Sequence, residues 1–383
     1  MAGACGIISL SALGTGCVSS PRSDERSGLL LAVRYDVAPA CMGMDEAACS
    51  VRTSEDMRRI AALRLRSVLL EHLDDSTAPA AIRAAREAGL EPFVADRSIR
   101  DYVLLNALPV SCRDVNGVVR SMGEPGGTID PAVGVVVDAG QTSDTMERAK
   151  NAFAAIERSG RPALLWDRGN GALYRRPPPP PPKDVGQPAS PIEAGHAAES
   201  SFDAIAVIST TTFNDRPPGQ EAGLLLSAYH EALAQGRTGG LLIDRFQRIP
   251  GDPPGLLPGG SASPPSRTAA VAALVDRASN WGSRLIGFAV APVRSAKAPL
   301  DVSVLAFVHG PRRFVLVYNR SAAVHGRGEV VVASEGAVGQ IRRAVEVPGG
   351  GDSRGGTVLT VHGGTIVIPV SLRPGDAALF ELF

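Results

Sequence analysis

The sequence predicts an α/β chain, a (β/α)8 TIM barrel followed by a small all-β antiparallel sandwich domain. Three observations predict it. From residue 29 to residue 290, short and almost wholly apolar runs alternate with amphipathic helix patterns. Such runs mark strands buried on both faces, as in a parallel sheet covered by helices. About eight strand–helix units fall within roughly 260 residues, which suits a closed (β/α)8 barrel. After Val293 the helix pattern stops, and short strand-like runs follow one another between Gly, Pro, Asn and Asp clusters. A doubly wound open sheet is the rival architecture. It usually carries a glycine-rich first turn, and the stretch VAPACMGMDE after Asp36 has none.

The elements follow in order. Leu29–Asp36 (LLLAVRYD) reads as the first strand. A helix is expected near Thr53, where Thr53-x-x-Asp56 has the form of a capping box, running on through RRIAAL. Leu65–Glu71 is strand two, and residues 77–88 form a helix with Pro79 early and Gly89 just past its end. Pro92–Asp96 is strand three, followed by a helix over SIRDYVLLNAL. Val133–Asp138 is strand four, and residues 143–158 form a helix that stops at Gly160. Ala163–Asp167 is strand five, Ala204–Ser209 strand six and Leu241–Asp244 strand seven. Helices are expected over 219–235 and 266–281, and Leu285–Val290 (LIGFAV) is read as strand eight. The sandwich strands are 302–309, 313–319, 328–333, 341–347, 357–361, 365–371 and 377–383.

This organisation divides the chain into a signal-like segment and linker over 1–27, a barrel over 28–295 and a C-terminal sandwich over 296–383. Residues 4–16 are apolar and small, Cys17 follows, and the next ten residues are polar. The pattern resembles the end of a bacterial lipoprotein signal, with Cys17 as the lipidated residue. It implies an extracytoplasmic protein of the cell envelope, with membrane attachment through Cys17 where that residue is lipidated. A cytoplasmic protein with an apolar N-terminus is the alternative. The run is shorter than the roughly 20 apolar residues that span a bilayer. Cys41 and Cys49 either staple one loop in an oxidising compartment or stand unlinked. Pro177 to Pro182 are expected to form an extended left-handed helix and read as a surface spacer rather than a docking motif.

Composition excludes several functions. Lys+Arg and Asp+Glu both number 39, so the chain has no broad basic face for nucleic acid. Aromatic residues make up 4% of the chain, too few for large stacking platforms. The cysteines form no CxxC pair, and His72, His196, His230, His309, His325 and His362 show no metal-ligand spacing. No metal and no cofactor is expected.

The chemistry is expected at the C-terminal ends of the strands, where barrels carry their catalytic groups. Those ends are acidic: Asp36, Glu71, Asp96, Asp138, Asp167 and Asp244. Arg97, Arg168 and Arg245 directly follow three of them, and Asn214 lies in the loop after strand six. Carboxylates gathered on one rim can have their pKa values pushed apart, giving one acid and one ionised nucleophile or base. Any one of these acids could instead cap a helix or pair with an arginine. Tyr35 and Trp166 precede rim acids and either stack on a ligand or pack against the helices.

A barrel that runs into a C-terminal β-sandwich, with acids at its strand ends, resembles the architecture of many glycoside hydrolases. The likeness covers about residues 29–383 and names no numbered family. In the largest such clan the acid/base ends strand four and the nucleophile ends strand seven. The resemblance places these roles on Asp138 and Asp244, although Val137 stands where that clan has Asn and both acids are Asp rather than Glu. A clan with Asp on strands four and six would also use Asp138, but strand six here ends in Ser209-Thr210. The implied function is hydrolysis of an extracytoplasmic glycan or small glycoside. Asp36, Glu71, Asp96, Asp167, Arg168, Arg245 and Asn214 would bind substrate. The alternative is a catalytically silent barrel that binds glycan or serves as a scaffold of the envelope.

Overall fold

The computed structural model describes residues 29–71, 73, 77–95, 97–105, 133–140, 142–167, 169–175, 203–209, 220–246, 265–291, 293, 296–310, 312–321, 323–333, 343–348, 357–360 and 365–383. Eight strands close into a barrel: β1 (Leu30–Asp36), β2 (Ser67–Glu71), β3 (Glu91–Ala95), β4 (Gly134–Asp138), β5 (Ala163–Asp167), β6 (Ala172–Arg175), β7 (Asp203–Ile208) and β8 (Gly240–Ile243). The ring shuts where Leu30–Val33 pair in parallel with Gly240–Ile243. The helices outside it are α1 (Val37–Ala40), α2 (Glu46–Ala62), α3 (Ala78–Glu87), α4 (Arg97–Leu105), α5 (Ser143–Arg158), α6 (Glu221–Ala234) and α7 (Pro265–Leu285). The predicted α/β barrel is thus the barrel found.

Its eighth strand is not the predicted one. β6 is antiparallel to both β5 and β7 and forms a hairpin with β5. The turn has a local cause. Asp167 accepts from the backbone N–H of Asn170 at 3.1 Å and from its side-chain amide at 2.7 Å, and Gly171 takes φ +57°. Residues 203–208 therefore supply the seventh strand and residues 240–243 the eighth. The run Leu285–Val290 is no barrel strand: α7 extends to Leu285, and Gly287 turns the chain at φ +76°. Only Ala289–Ala291 is extended, as β9, and it pairs antiparallel with the sandwich.

A second helix boundary also differs. α2 starts at Glu46, seven residues before Thr53, with Asp45 accepting from the Ala48 N–H at 2.7 Å. Thr53 and Asp56 lie buried inside the helix. Asp56 accepts from the Tyr35 hydroxyl at 3.0 Å and meets Arg52 and Arg59, so the supposed cap is a tie between α2 and β1. Burial pushes its carboxyl above the ordinary aspartate range despite those arginines.

Side-chain alternation sorts the barrel residues into two cores. Leu30, Ala32, Leu69, Phe93, Val136, Leu164, Trp166, Leu173, Ile205 and Leu242 fill the lumen. Each large apolar side chain there contributes roughly 1.5–3 kcal/mol by leaving water. Gly134 makes room for one of them, because a Cβ at that position would fall within the Phe93 ring. The alternate residues, such as Leu31, Val33, Tyr35, Val68 and Val135, face the helices in a larger core.

The C-terminal region packs a three-stranded sheet, β10–β13–β16, on a six-stranded sheet, β15–β14–β17–β12–β11–β9. Its strands are β10 (Ala296–Lys297), β11 (Val302–His309), β12 (Arg312–Asn319), β13 (Gly326–Ala333), β14 (Arg343–Val347), β15 (Val358–Thr360), β16 (Thr365–Leu372) and β17 (Ala377–Leu382). All pairings are antiparallel, as the alternating pattern predicts. The other face of the larger sheet joins the barrel's outer core through Phe307, Phe314, Leu316, Tyr318 and Leu379. Trp281 Nε1 of α7 donates to the Val347 carbonyl at 3.4 Å, and Arg277 pairs with Asp376 at 2.8 Å.

Candidate functional site at the barrel mouth

The C-terminal ends of the barrel strands bring charged groups onto the lumen side. Arg34 and Asp36 share the alternation of Leu30 and Ala32, Glu71 that of Leu69, Asp138 that of Val136, and Asp244 that of Leu242. The Asp244 N–H bonds to the Ile208 carbonyl at 2.9 Å, which continues the β7–β8 ladder one residue past β8.

Arg34 is the centre of this arrangement. Its Nη2 lies 2.8 Å from Glu71 and 3.5 Å from Asp36, and its Nη1 lies 3.2 Å from Asp244. Three adjacent strands, β8, β1 and β2, thus hold their carboxylates on one guanidinium. The guanidinium carbon sits 5.9 Å from the centre of the Trp166 ring, across the lumen. Burial works against the charge on Arg34, but Glu71, Asp36 and Asp244 outweigh it and push its pKa above the usual arginine value. Arg34 is the mouth residue that sequence reading missed. Its signal was present: it is the one cation of β1, and it falls on the lumen parity.

Asp138 stands apart from that cluster. β4 and β8 are four places apart in a ring of eight, so Asp138 and Asp244 face one another from opposite walls. One Asp138 oxygen accepts from the Gly140 N–H at 3.0 Å, which fixes the carboxylate at the turn into α5.

The remaining predicted residues scatter. Asp167 has the parity of Ala163 and Leu165, which face the helices, and is engaged in the β5–β6 turn. Tyr35 also faces outward, toward Asp56 and 6.1 Å from the Phe246 ring. Trp166, its partner in the sequence reading, faces inward and is buried. Arg245 is half-buried directly after Asp244. Asp96, Arg168, Asn214, His72 and Cys17 lie outside the described residues, as do Pro177 to Pro182. Cys41 and Cys49 form a disulfide that ties the end of α1 to α2, a few residues from Asp36. Among the described residues no group of three or more His, Cys, Asp or Glu is placed to hold a metal ion. No described helix is long and apolar enough to cross a membrane.

No protein-family model matches the chain, and no curated protein does. Solved structures similar to it include a noncanonic maltogenic α-amylase, AmyB, from Thermotoga neapolitana, at 11% identity and TM-score 0.47, covering 93% of this chain and 99% of that one. The α-fucosidase of Thermotoga maritima in complex with fucose is similar at 10% identity and TM-score 0.46, over 94% of this chain and 96% of that one. A GH30 endoxylanase from Clostridium papyrosolvens C71 is similar at 11% identity and TM-score 0.40, over 92% and 95%. At such scores these likenesses assign no activity, and the barrel rests on its own strand pairing. Fold and mouth together define a closed α/β barrel with a charged lumen opening and an antiparallel β-sandwich docked on its helices.

Proposed function

We propose that the chain is a carbohydrate-active barrel, a glycoside hydrolase acting on an extracytoplasmic glycan, with Asp138 as proton donor and Asp244 as nucleophile or base. The observation that carries this reading is that both acids sit on the lumen parity at the mouth, on opposite walls. A glycosidic bond lying between them meets a carboxyl on each side. Asp138 gives its proton to the leaving oxygen, while Asp244 attacks the anomeric carbon or takes a proton from water. Arg34, 3.2 Å from Asp244, holds that carboxylate at the mouth. Glu71 and Asp36, buried beneath the rim, complete the wall around Arg34. The Cys41–Cys49 disulfide supports an oxidising location, as does the lipoprotein-like run ending at Cys17.

One observation favours the second reading, a catalytically silent barrel that binds glycan or acts as a scaffold. Arg34 engages three of the mouth's carboxylates at once, as a structural ion cluster does. A screen of chromogenic glycosides with Asp138→Asn and Asp244→Asn separates the two. Each substitution is expected to lower turnover by about 10²–10⁴-fold, the usual weight of a general acid or base. Turnover that survives both substitutions removes these residues from the mechanism. Glycan binding without turnover in the unaltered protein favours the silent reading.

A further inference from the structure

The seam between barrel and sandwich holds a histidine that the mouth chemistry does not use. His230 of α6 is fully buried. Its ring lies 5.9 Å from Tyr229 of the same helix, 5.7 Å from Trp281 of α7 and 5.8 Å from Tyr318 of β12. Among the described residues neither ring nitrogen has a hydrogen-bond partner. The backbone at Gly375 approaches the ring from the β16–β17 turn, without the geometry of a hydrogen bond.

The charged groups around it are few and already engaged. Arg277 of α7 stacks on Trp281 at 4.5 Å, pairs with Asp376 at 2.8 Å and donates to the Ala377 carbonyl at 3.2 Å. Glu231 accepts from the Tyr318 hydroxyl at 3.1 Å. Among the described residues the charge that bears on the imidazole is therefore a cation, that of Arg277. A second positive charge in this aromatic box would be desolvated and would face Arg277.

We infer that His230 makes the barrel–sandwich seam an acid-sensitive latch, which loosens on mild acidification before the barrel itself unfolds. Burial, and then Arg277, hold the imidazole pKa well below its ordinary value in the closed seam. In the open seam the ring meets water, and its value returns to about 6.5. The latch's contribution is thus complete above about pH 6.5 and is withdrawn as pH falls toward the closed-state value. In that window the open-to-closed ratio rises by up to about tenfold per pH unit, the limit for a single proton.

Hydrogen exchange of the full-length protein between pH 8 and pH 5, corrected for intrinsic rates, tests the inference. Peptides from 224–234, 270–285, 314–320 and 374–380 are expected to lose protection on acidification while those from β1 to β4 keep it. His230→Phe, which keeps a ring but takes up no proton, is expected to abolish that loss. His309, whose Nδ1 lies 3.1 Å from the Gly287 carbonyl at the edge of the seam, serves as a control. His309→Asn should leave the loss intact. Seam protection that is unchanged down to pH 5, or lost equally in His230→Phe, overturns the latch. If His230→Phe does not fold, ¹⁵N spectra of the histidine rings in the unaltered protein decide instead. A His230 ring that charges near pH 6.5 with the seam still protected overturns it, and a ring that charges only as protection is lost supports it.

Discussion

Replacing Arg34 with methionine tests whether the barrel mouth is a dry ion cluster or a solvated rim. Methionine keeps most of the side-chain length and removes the charge. The Arg34 side chain is 11% exposed, and its partners Asp36, Glu71 and Asp244 are 1%, 9% and 28% exposed. Loss of the cation removes the Arg34 charge from beside two almost fully buried carboxylates, and Asp244 contributes less because water reaches it. Removing one partner of a buried ion pair typically destabilises by about 3–5 kcal/mol, because the stranded charge stays desolvated. Chemical denaturation of the purified protein at pH 7 should show a loss in that range. Glu71→Gln in the Arg34→Met background removes one stranded charge and should restore part of it, with a coupling of roughly 1–3 kcal/mol. A loss below about 1 kcal/mol for Arg34→Met, the range of exposed pairs, would show that water already screens the cluster. The account of Arg34 as the organiser of Asp244 would then fail.

Two further predictions follow from backbone geometry and covalent structure. Gly375→Ala should lower stability by about 2–4 kcal/mol, combining the roughly 1–2 kcal/mol cost of a side chain in the left-handed region with overpacking. Gly375 has φ +68°, and an added Cβ would collide with the Gly223 backbone of α6. Gly310→Ala, at φ +55° with nothing within 4 Å, isolates the first of these costs, and equal melting shifts for the two variants would refute the packing part. Removing the Cys41–Cys49 bridge with a paired Cys→Ser variant should cost roughly 2–3 kcal/mol, from a loop closed over a separation of 8 residues. An unchanged melting temperature would show that α1 and α2 hold that loop without it.

Most of the fold was legible because burial on both faces leaves a simple trace. Residues 134–138, 163–167 and 143–158 fall where periodicity and caps place them. Thr142, one residue before that helix, forms a reciprocal cap with Thr145. The failures have specific causes. β6 is only four residues long, too short for a periodicity count, and its signal lies in the turn that precedes it. Arg-Gly-Asn-Gly after Asp167 is hairpin chemistry, and a reading that expects helix after every strand passes over it. The run LIGFAV satisfies two structures at once. Leu285 closes the last turn of α7, Phe288 packs edge-on against Phe314 at 5.1 Å, and only the final residues pair with β11. Apolar content alone does not separate a helix end from a strand start.

The site was legible as a set of acids and illegible as a geometry, and alternation accounts for both. Acids at strand ends are visible in any sequence, but only the parity counted from the lumen residues tells which of them meet. Counted so, Asp36, Glu71, Asp138 and Asp244 turn inward, while Asp167 turns outward to its hairpin. The same count separates Tyr35 from Trp166, which look equivalent as aromatic residues preceding an acid. It also exposes Arg34, whose neighbours Val33 and Tyr35 face the helices. A cation at that position has no outward partner and must be satisfied inside the barrel. The inward acids of β1, β2 and β8 are the groups within its reach, so the cluster follows from one residue's parity once the ring is closed. Asp138, four strands away, is not among the ion-pair partners of Arg34. This separation divides the inward acids into three around one cation and a fourth on the opposite wall.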